Sequence, residues 1–214
     1  MTDMLETIRD DCIRGRRAEL LRAVNLALAS GIGAETVMTQ ALIPAMSVVG
    51  ERYSTGEYFL AEMMLGARAM SEAMQLLEPH LAQGTYETKA RVVLGTVAGD
   101  YHDIGKNIVG MMLQGGGYEV VDLGVDVSPQ SFVEAIAREK PRLVLMSALL
   151  TLTMEGMRAT VQALVGVGVR ERVVVGIGGA PLTQNFADEI GADFYAADAH
   201  DCVVKCNQLL HSGA

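Results

Sequence analysis

The chain has 214 residues, half of them hydrophobic, with 26 acidic against 17 basic side chains and a formal net charge of −9. That composition excludes a disordered polypeptide, and the acidic balance disfavours nucleic acid and anionic membranes as partners. No basic start followed by an apolar run marks a secretory signal, and no apolar run reaches transmembrane length, so the cytoplasm is the expected location.

The amino-terminal third reads as helices. Leu5, Ile8 and Cys12 recur near helical spacing, Gly15 interrupts, and residues 18–29 follow as a helix apolar over much of its surface. Ser30-Gly31-Ile32-Gly33 is a turn. A third helix runs from about Ala34 towards Val49 or Tyr53, with Pro44 predicting a bend or local irregularity. After Gly56, a long fourth helix is expected over 58–77, ending at Glu78-Pro79-His80. No period-two run occurs here, so a helical bundle is the economical reading. The fourth helix carries Phe59, Met63, Gly66, Met70 and Met74 on one side. Methionine at that spacing serves equally as the filling of a bundle core. The polar stretch over 81–88 reads as an interdomain linker, placing a helical domain at 1–85 and a second domain at 86–214.

The second domain repeats strand and helix. Strands are expected at 92–98, 119–123, 143–147, 173–177 and 193–196, with helices at 105–114, 129–139, 154–167, 182–190 and 200–211. Ser128-Pro129 is a helix start and Gly191 a helix stop. The expected fold is therefore α/β: a doubly wound, five-stranded parallel sheet preceded by a helical bundle cap. Right-handed crossovers place the loops 100–105, 125–128, 147–153 and 176–183 on one rim. Cys12, Cys202 and Cys206 form neither a disulfide framework nor a close metal pair, and read as small packing residues.

The stretch Gly99-Asp100-Tyr101-His102-Asp103-Ile104-Gly105 lies in the first strand-to-helix loop, at the sheet edge where open α/β folds place their ligands. An imidazole two residues after a carboxylate suggests a metal ligand, His102, with Asp100 accepting the proton of its other ring nitrogen. By themselves these residues are equally a surface histidine and a helix cap. Likewise Ser147 and Thr151 in Ser147-Ala148-Leu149-Leu150-Thr151 supply hydroxyls that suit a ligand or a turn. Gly178 and Gly179 allow either a tight turn or a flat ligand's close approach.

Asp-x-His-x-x-Gly makes the sequence similar to the cobalamin-binding domain of corrinoid proteins in anaerobic methyltransferase systems, and to that of cobalamin-dependent methionine synthase. The resemblance implies that His102 replaces the cofactor's own base as the lower ligand of cobalt, with Asp100 as its partner. It implies that Gly99, Tyr101, Asp103, Ile104 and Gly105 line the same loop. Ser147, Leu149 and Thr151 resemble the Ser-x-Leu region that meets the buried nucleotide tail; Gly178 and Gly179 resemble the element that makes room for it; Ala199 matches a backbone contact. Residues 50–60 resemble the helical cap, in which Phe59 matches the aromatic residue covering the upper face of the corrin, and Met63 continues that side. A proline commonly follows the Phe-Leu pair in those relatives; Ala61 stands here.

The implied function is a corrinoid methyl-group carrier cycling between Co(I) and methyl-Co(III), not catalytic alone. Its implied partners are a substrate-specific methyltransferase, an acceptor methyltransferase and a reductive activation protein, with no nucleic acid and no membrane. The alternative is a cobalamin-binding sensory or regulatory protein, for which no basic recognition helix flanks the cap or the last strand. A Rossmann dinucleotide site would need Gly-x-Gly-x-x-Gly after the first strand, and a P-loop its lysine pattern; neither occurs.

Overall fold

A computed structural model describes residues 2–81 and 88–212. Two compact units divide it, Met1–Thr88 with Gln114–Gly117, and Lys89–Leu113 with Tyr118–Ala214. The expected linker over 81–88 and its boundary near 86 lie almost wholly outside the described residues.

The first unit is all helical: α1 (Thr2–Ile13), α2 (Arg17–Ala29), α3 (Ala34–Val37), α4 (Ile43–Ser54) and α5 (Leu60–Leu81). α1 packs on α2, α4 and α5, closing a core that includes Ile8, Leu20, Val24, Leu42, Val49 and Leu77. The α1–α2 turn presses on α5 so closely that a Cβ on Gly15, at φ +62°, would sit 2.6 Å from the Leu65 Cβ. The irregularity expected at Pro44 appears as a π-helical turn, Met38–Leu42, immediately before it. A proline ring clashes with the carbonyl four residues back, here Gln40, and the wider turn relieves that crowding.

α5 begins at Leu60 rather than Tyr58, because the Glu62 carboxylate reaches back to accept the Phe59 N–H at 3.0 Å and caps the helix there. It also runs through Pro79 to Leu81. A proline in the helix forfeits one hydrogen bond, and the turn around it is nonetheless helical.

The second unit holds a sheet of five parallel strands, β1 (Arg91–Thr96), β2 (Glu119–Asp122), β3 (Leu143–Ser147), β4 (Val174–Gly178) and β5 (Phe194–Ala196), in the order β2-β1-β3-β4-β5. Helices α6 (Ile104–Gly115), α7 (Pro129–Glu139), α8 (Met154–Gly166), α9 (Gln184–Ile190) and α10 (Ala199–Ser212) alternate with the strands. Both faces are covered: Val93, Val144, Met146 and Val175 pack with Phe132, Met157 and Phe186 on one side. Val92, Leu94, Leu143 and Leu145 pack with Leu113, Cys202 and Cys206 on the other. Burial on two sides is why these strands read as continuous apolar runs.

Ser128 accepts the Ser131 N–H to start α7, and Gly191, at φ +76°, ends α9. β1 stops at Thr96, two residues short of the expected end, because Gly99 at φ +79° turns the chain out of the sheet. The strand order reverses between β1 and β3, so their following loops diverge at a switch point. A crevice opens at the carboxyl end of such a pair.

Candidate functional site

Asp100 is the hinge of that crevice. It is fully buried, and a buried carboxylate is tolerated only with its lone pairs satisfied. Its Oδ2 accepts the Leu149 N–H and the Thr153 hydroxyl, each at 2.7 Å, and a longer contact from the Leu150 N–H. Its Oδ1 accepts the His102 N–H at 3.0 Å and lies 2.7 Å from His102 Nδ1. Burial alone would raise the pKa of Asp100. The bonds donated by Leu149, Thr153 and His102 outweigh it and hold the carboxyl well below the usual carboxylate range. An ionised Asp100 only accepts, so the proton between the two side chains sits on Nδ1.

The consequence falls on the other ring nitrogen. In the neutral imidazole a protonated Nδ1 leaves the lone pair on Nε2, and the His102 side chain is half exposed. The Thr96 hydroxyl, donating to the His102 carbonyl at 2.9 Å, fixes the backbone beneath the ring. This is the arrangement of a metal ligand with an orienting carboxylate. Among the described residues no cluster of three His, Cys, Asp or Glu side chains could hold a bare metal ion.

The surrounding loops are apolar and open to solvent. Tyr101, Leu149 and Leu150 on the loops after β1 and β3, Ile104 at the start of α6 and Leu152 in the turn before α8 are all exposed, Leu152 at 88%. Ser147 ends β3 partly exposed, and Thr151 begins a single 3-10 turn, Thr151–Thr153. Gly178 ends β4, and Gly179 follows at φ +140°. A Cβ on Gly179 would meet the Ala148 carbonyl oxygen at 1.9 Å, so glycine is required there by the protein's own backbone. Ala199 is buried at the first position of α10, where the Asp198 carboxylate caps the helix by accepting the Asp201 N–H. Gly99 to Gly105 form the turn and first residues of α6, with Asp103 accepting the Asn107 N–H on its carbonyl.

The structure separates the two candidates of the helical unit. Phe59 is 73% exposed, with Leu60, Met64 and Leu65 also exposed. Met63 and Met70 are each 1% exposed. The exposed apolar residues at the start of α5 are therefore Phe59, Leu60, Met64 and Leu65, and the expected Met63–Met70 side is buried packing instead.

Two partners of the Asp100 loop escaped sequence reading. Thr153 looks like an ordinary hydroxyl before a helix, and only the fold brings it to Asp100. Asp126 follows β2, yet its carboxylate accepts the Gly99 N–H and the Tyr101 hydroxyl. A carboxylate two residues after a glycine, in a rim loop, was the only signal.

Comparison with known proteins places this geometry. A family model described as a B12 binding domain matches residues 90–203, and a second B12 binding domain model matches residues 4–78. The chain is 40% identical to dimethylamine corrinoid protein 3 of Methanosarcina acetivorans over 97% of each chain. It is 40% identical to the trimethylamine corrinoid protein of Methanosarcina barkeri over 87% of each. A cobalamin-binding protein from Desulfitobacterium hafniense superposes with a TM-score of 0.80 at 33% identity, over 95% of this chain and 97% of that one. A chain of the methanol:cobalamin methyltransferase complex of Methanosarcina barkeri superposes with a TM-score of 0.88 at 29% identity, over 98% of this chain and 80% of that one.

Proposed function

The chain belongs to the corrinoid proteins with B12 binding domains, and from that premise we propose that it is a methyl-group carrier working between two methyltransferases. One delivers the methyl group from a specific substrate and the other removes it to an acceptor. The bound corrinoid supplies the chemistry, its cobalt alternately taking up a methyl group and giving it away. The chain's own residues hold, orient and shield.

In this reading His102 is the lower ligand, bound through Nε2 with the cofactor's own base displaced. Asp100 keeps the imidazole in the tautomer that leaves Nε2 free and raises its basicity. The loop 99–105, Ser147, Leu149, Thr151, Gly178, Gly179 and the Ala199 backbone receive the corrin and its tail. Residues 1–85 form the cap and 86–214 the corrinoid domain, with Phe59 the cap's corrin-contacting aromatic and Met63 part of its core. Relatives named for dimethylamine and trimethylamine put a methylated amine first among the donors to test. A reductive activation protein would complete the partners. Among the described residues no helix is long and apolar enough to cross a membrane; three free, buried cysteines support a cytoplasmic location.

The observation that carries the reading is the buried Asp100 holding His102 by Nδ1 inside a matched B12 binding domain. Anaerobic reconstitution with hydroxocobalamin, followed by reduction to Co(II) and paramagnetic resonance, tests it. Protein grown with 15N-histidine should alter the nitrogen splitting on cobalt. Absence of bound corrin, or splitting from the cofactor's own base, would sink the assignment. Methyl transfer with donor and acceptor enzymes supplied together separates a carrier from a sensor, which would bind corrin without turnover.

A further inference from the structure

The loop after β2 reaches across to the His102 loop through a single residue. Asp126 stands in left-handed backbone at φ +54°, one of two non-glycine residues with positive φ among those described. Its N–H donates to the Asp100 carbonyl at 2.9 Å. Its Oδ1 accepts the Gly99 N–H at 2.7 Å, and its Oδ2 accepts the Tyr101 hydroxyl at 2.9 Å. One residue therefore grips Asp100 and the residues on both sides of it. Asp126 is itself exposed, so neither burial nor a helix end requires a carboxylate there.

The grip is anchored. Asp122 Oδ1 accepts the Gly124 N–H at 2.8 Å, and Asp122 pairs with the nearly buried Lys106 of α6. Thr96 donates its N–H to the Gly124 carbonyl at 3.0 Å and accepts the Val127 N–H on its own carbonyl at 2.9 Å. Backbone in a sparsely populated conformation persists where the surroundings over-determine it, and the two partners of the Asp126 carboxylate flank the residue that orients His102.

We propose that Asp126 is a positioning residue for His102. By fixing Gly99, the Asp100 carbonyl and Tyr101, it holds the Asp100 carboxylate from one side while Leu149 and Thr153 hold it from the other. The Nδ1 proton then has one place to go, and Nε2 stays free. The consequence at cobalt rests on the corrinoid reading above; the consequence at the imidazole does not.

Three variants of the full chain test this. D126G removes the carboxylate but tolerates the left-handed backbone, D126N keeps a tolerant residue with a hydrogen-bonding amide, and Y101F removes one hydroxyl. The first readout is 15N imidazole resonance of protein without corrin, with the His102 signals identified by their loss in H102N. Wild type and D126N should show a well-defined Nδ1–H tautomer, and D126G and Y101F a mixture.

The second readout is the Co(II) paramagnetic spectrum after reconstitution with hydroxocobalamin. D126G should lower the ratio of His-ligated to His-free cobalt about tenfold, the low end for losing a group that orients a metal's ligand. A D126G protein matching wild type in both spectra would overturn the proposal, as would D126N losing as much as D126G. Should D126G fail to fold, a wild-type imidazole spectrum in Y101F would overturn it. If wild type binds no corrin, the carrier reading fails while the imidazole spectra still decide on Asp126.

Discussion

Asp100 and Leu149, 49 residues apart in the chain, are joined by a 2.7 Å hydrogen bond from the Leu149 N–H to the Asp100 carboxylate. That bond spans the point where the strand order reverses, tying the loop after β1 to the loop after β3. The histidine loop is thus held by the neighbouring crossover and by its own tight turn, the Asp100 N–H donating to the Val97 carbonyl at 3.1 Å. A ligand seated on His102 therefore meets a preorganised nitrogen.

Asp100→Asn should reverse the His102 tautomer. The Leu149 N–H and the Thr153 hydroxyl both donate to one oxygen, against the single His102 N–H on the other, so the amide oxygen keeps the Leu149 side. The new amide nitrogen then faces His102, forfeits the His102 N–H bond and makes Nδ1 an acceptor. The ring proton then moves to Nε2 and removes the lone pair a metal needs. 15N imidazole shifts should change from Nδ1–H to Nε2–H, and the His-ligated fraction of cobalt should fall at least about tenfold. An unchanged tautomer would show that Asp100 does not set it.

Thr153→Val preserves shape while deleting the hydroxyl that donates to a buried carboxylate. Hydrogen bonds to charged groups contribute about 1.5–3 kcal/mol. Urea unfolding without corrin should show a midpoint lowered by roughly that stability, with the slope unchanged. A midpoint equal to wild type would assign the Asp100 charge to Leu149 and His102 alone.

Gly178 and Gly179 should respond differently to alanine. At Gly179 the new Cβ would lie 1.9 Å from the Ala148 oxygen in backbone at φ +140°, so the chain must unfold locally, at a cost of about 4 kcal/mol or more. At Gly178 the Cβ would stand 3.4 Å from the Ala196 oxygen, and stability should change by less than about 1 kcal/mol. Thermal melts read the first difference. An absorbance titration with hydroxocobalamin then reads G178A for corrin affinity, expected to fall if that glycine makes room for ligand.

Burial, with the neighbouring Asp11 adding to it, pushes the Cys12 thiol up to about 12. The unfolded chain ionises this thiol near pH 8.5, so its contribution to stability is intact below that pH and lost as pH rises towards 12. Urea midpoints should fall from pH 8 to pH 10.5, less steeply in Cys12→Ala. Equal slopes in both proteins would refute the assignment. In the native chain at pH 8, Cys12, Cys202 and Cys206 should all resist thiol labelling, because all three are buried.

The strands were legible because a parallel sheet covered on both faces needs apolar residues throughout, and Leu143–Ser147 shows that run without interruption. Ser128-Pro129 and Gly191 marked helix ends through local chemistry that survives in any fold. Asp100 and His102 were legible for the same reason: a carboxylate and an imidazole two residues apart reach one another through their own loop. These are short-range relations, and the amino-acid order by itself determined them.

Tertiary structure decided the rest. Which hydroxyl and which carboxylate meet the loop depends on β2 and β3 both flanking β1, which brings Asp126 and Thr153 from the two neighbouring crossovers to the Gly99–His102 segment. Nothing in the spacing of residues 100, 126 and 153 encodes that order. The side of α5 that faces its neighbours was equally hidden, since Phe59, Met63 and Met64 are all apolar and periodicity names a stripe without naming what covers it. The fold buried Met63 and left Phe59 exposed. Gly179 is needed because β3 and β4 lie side by side, which puts the Ala148 carbonyl where its side chain would go.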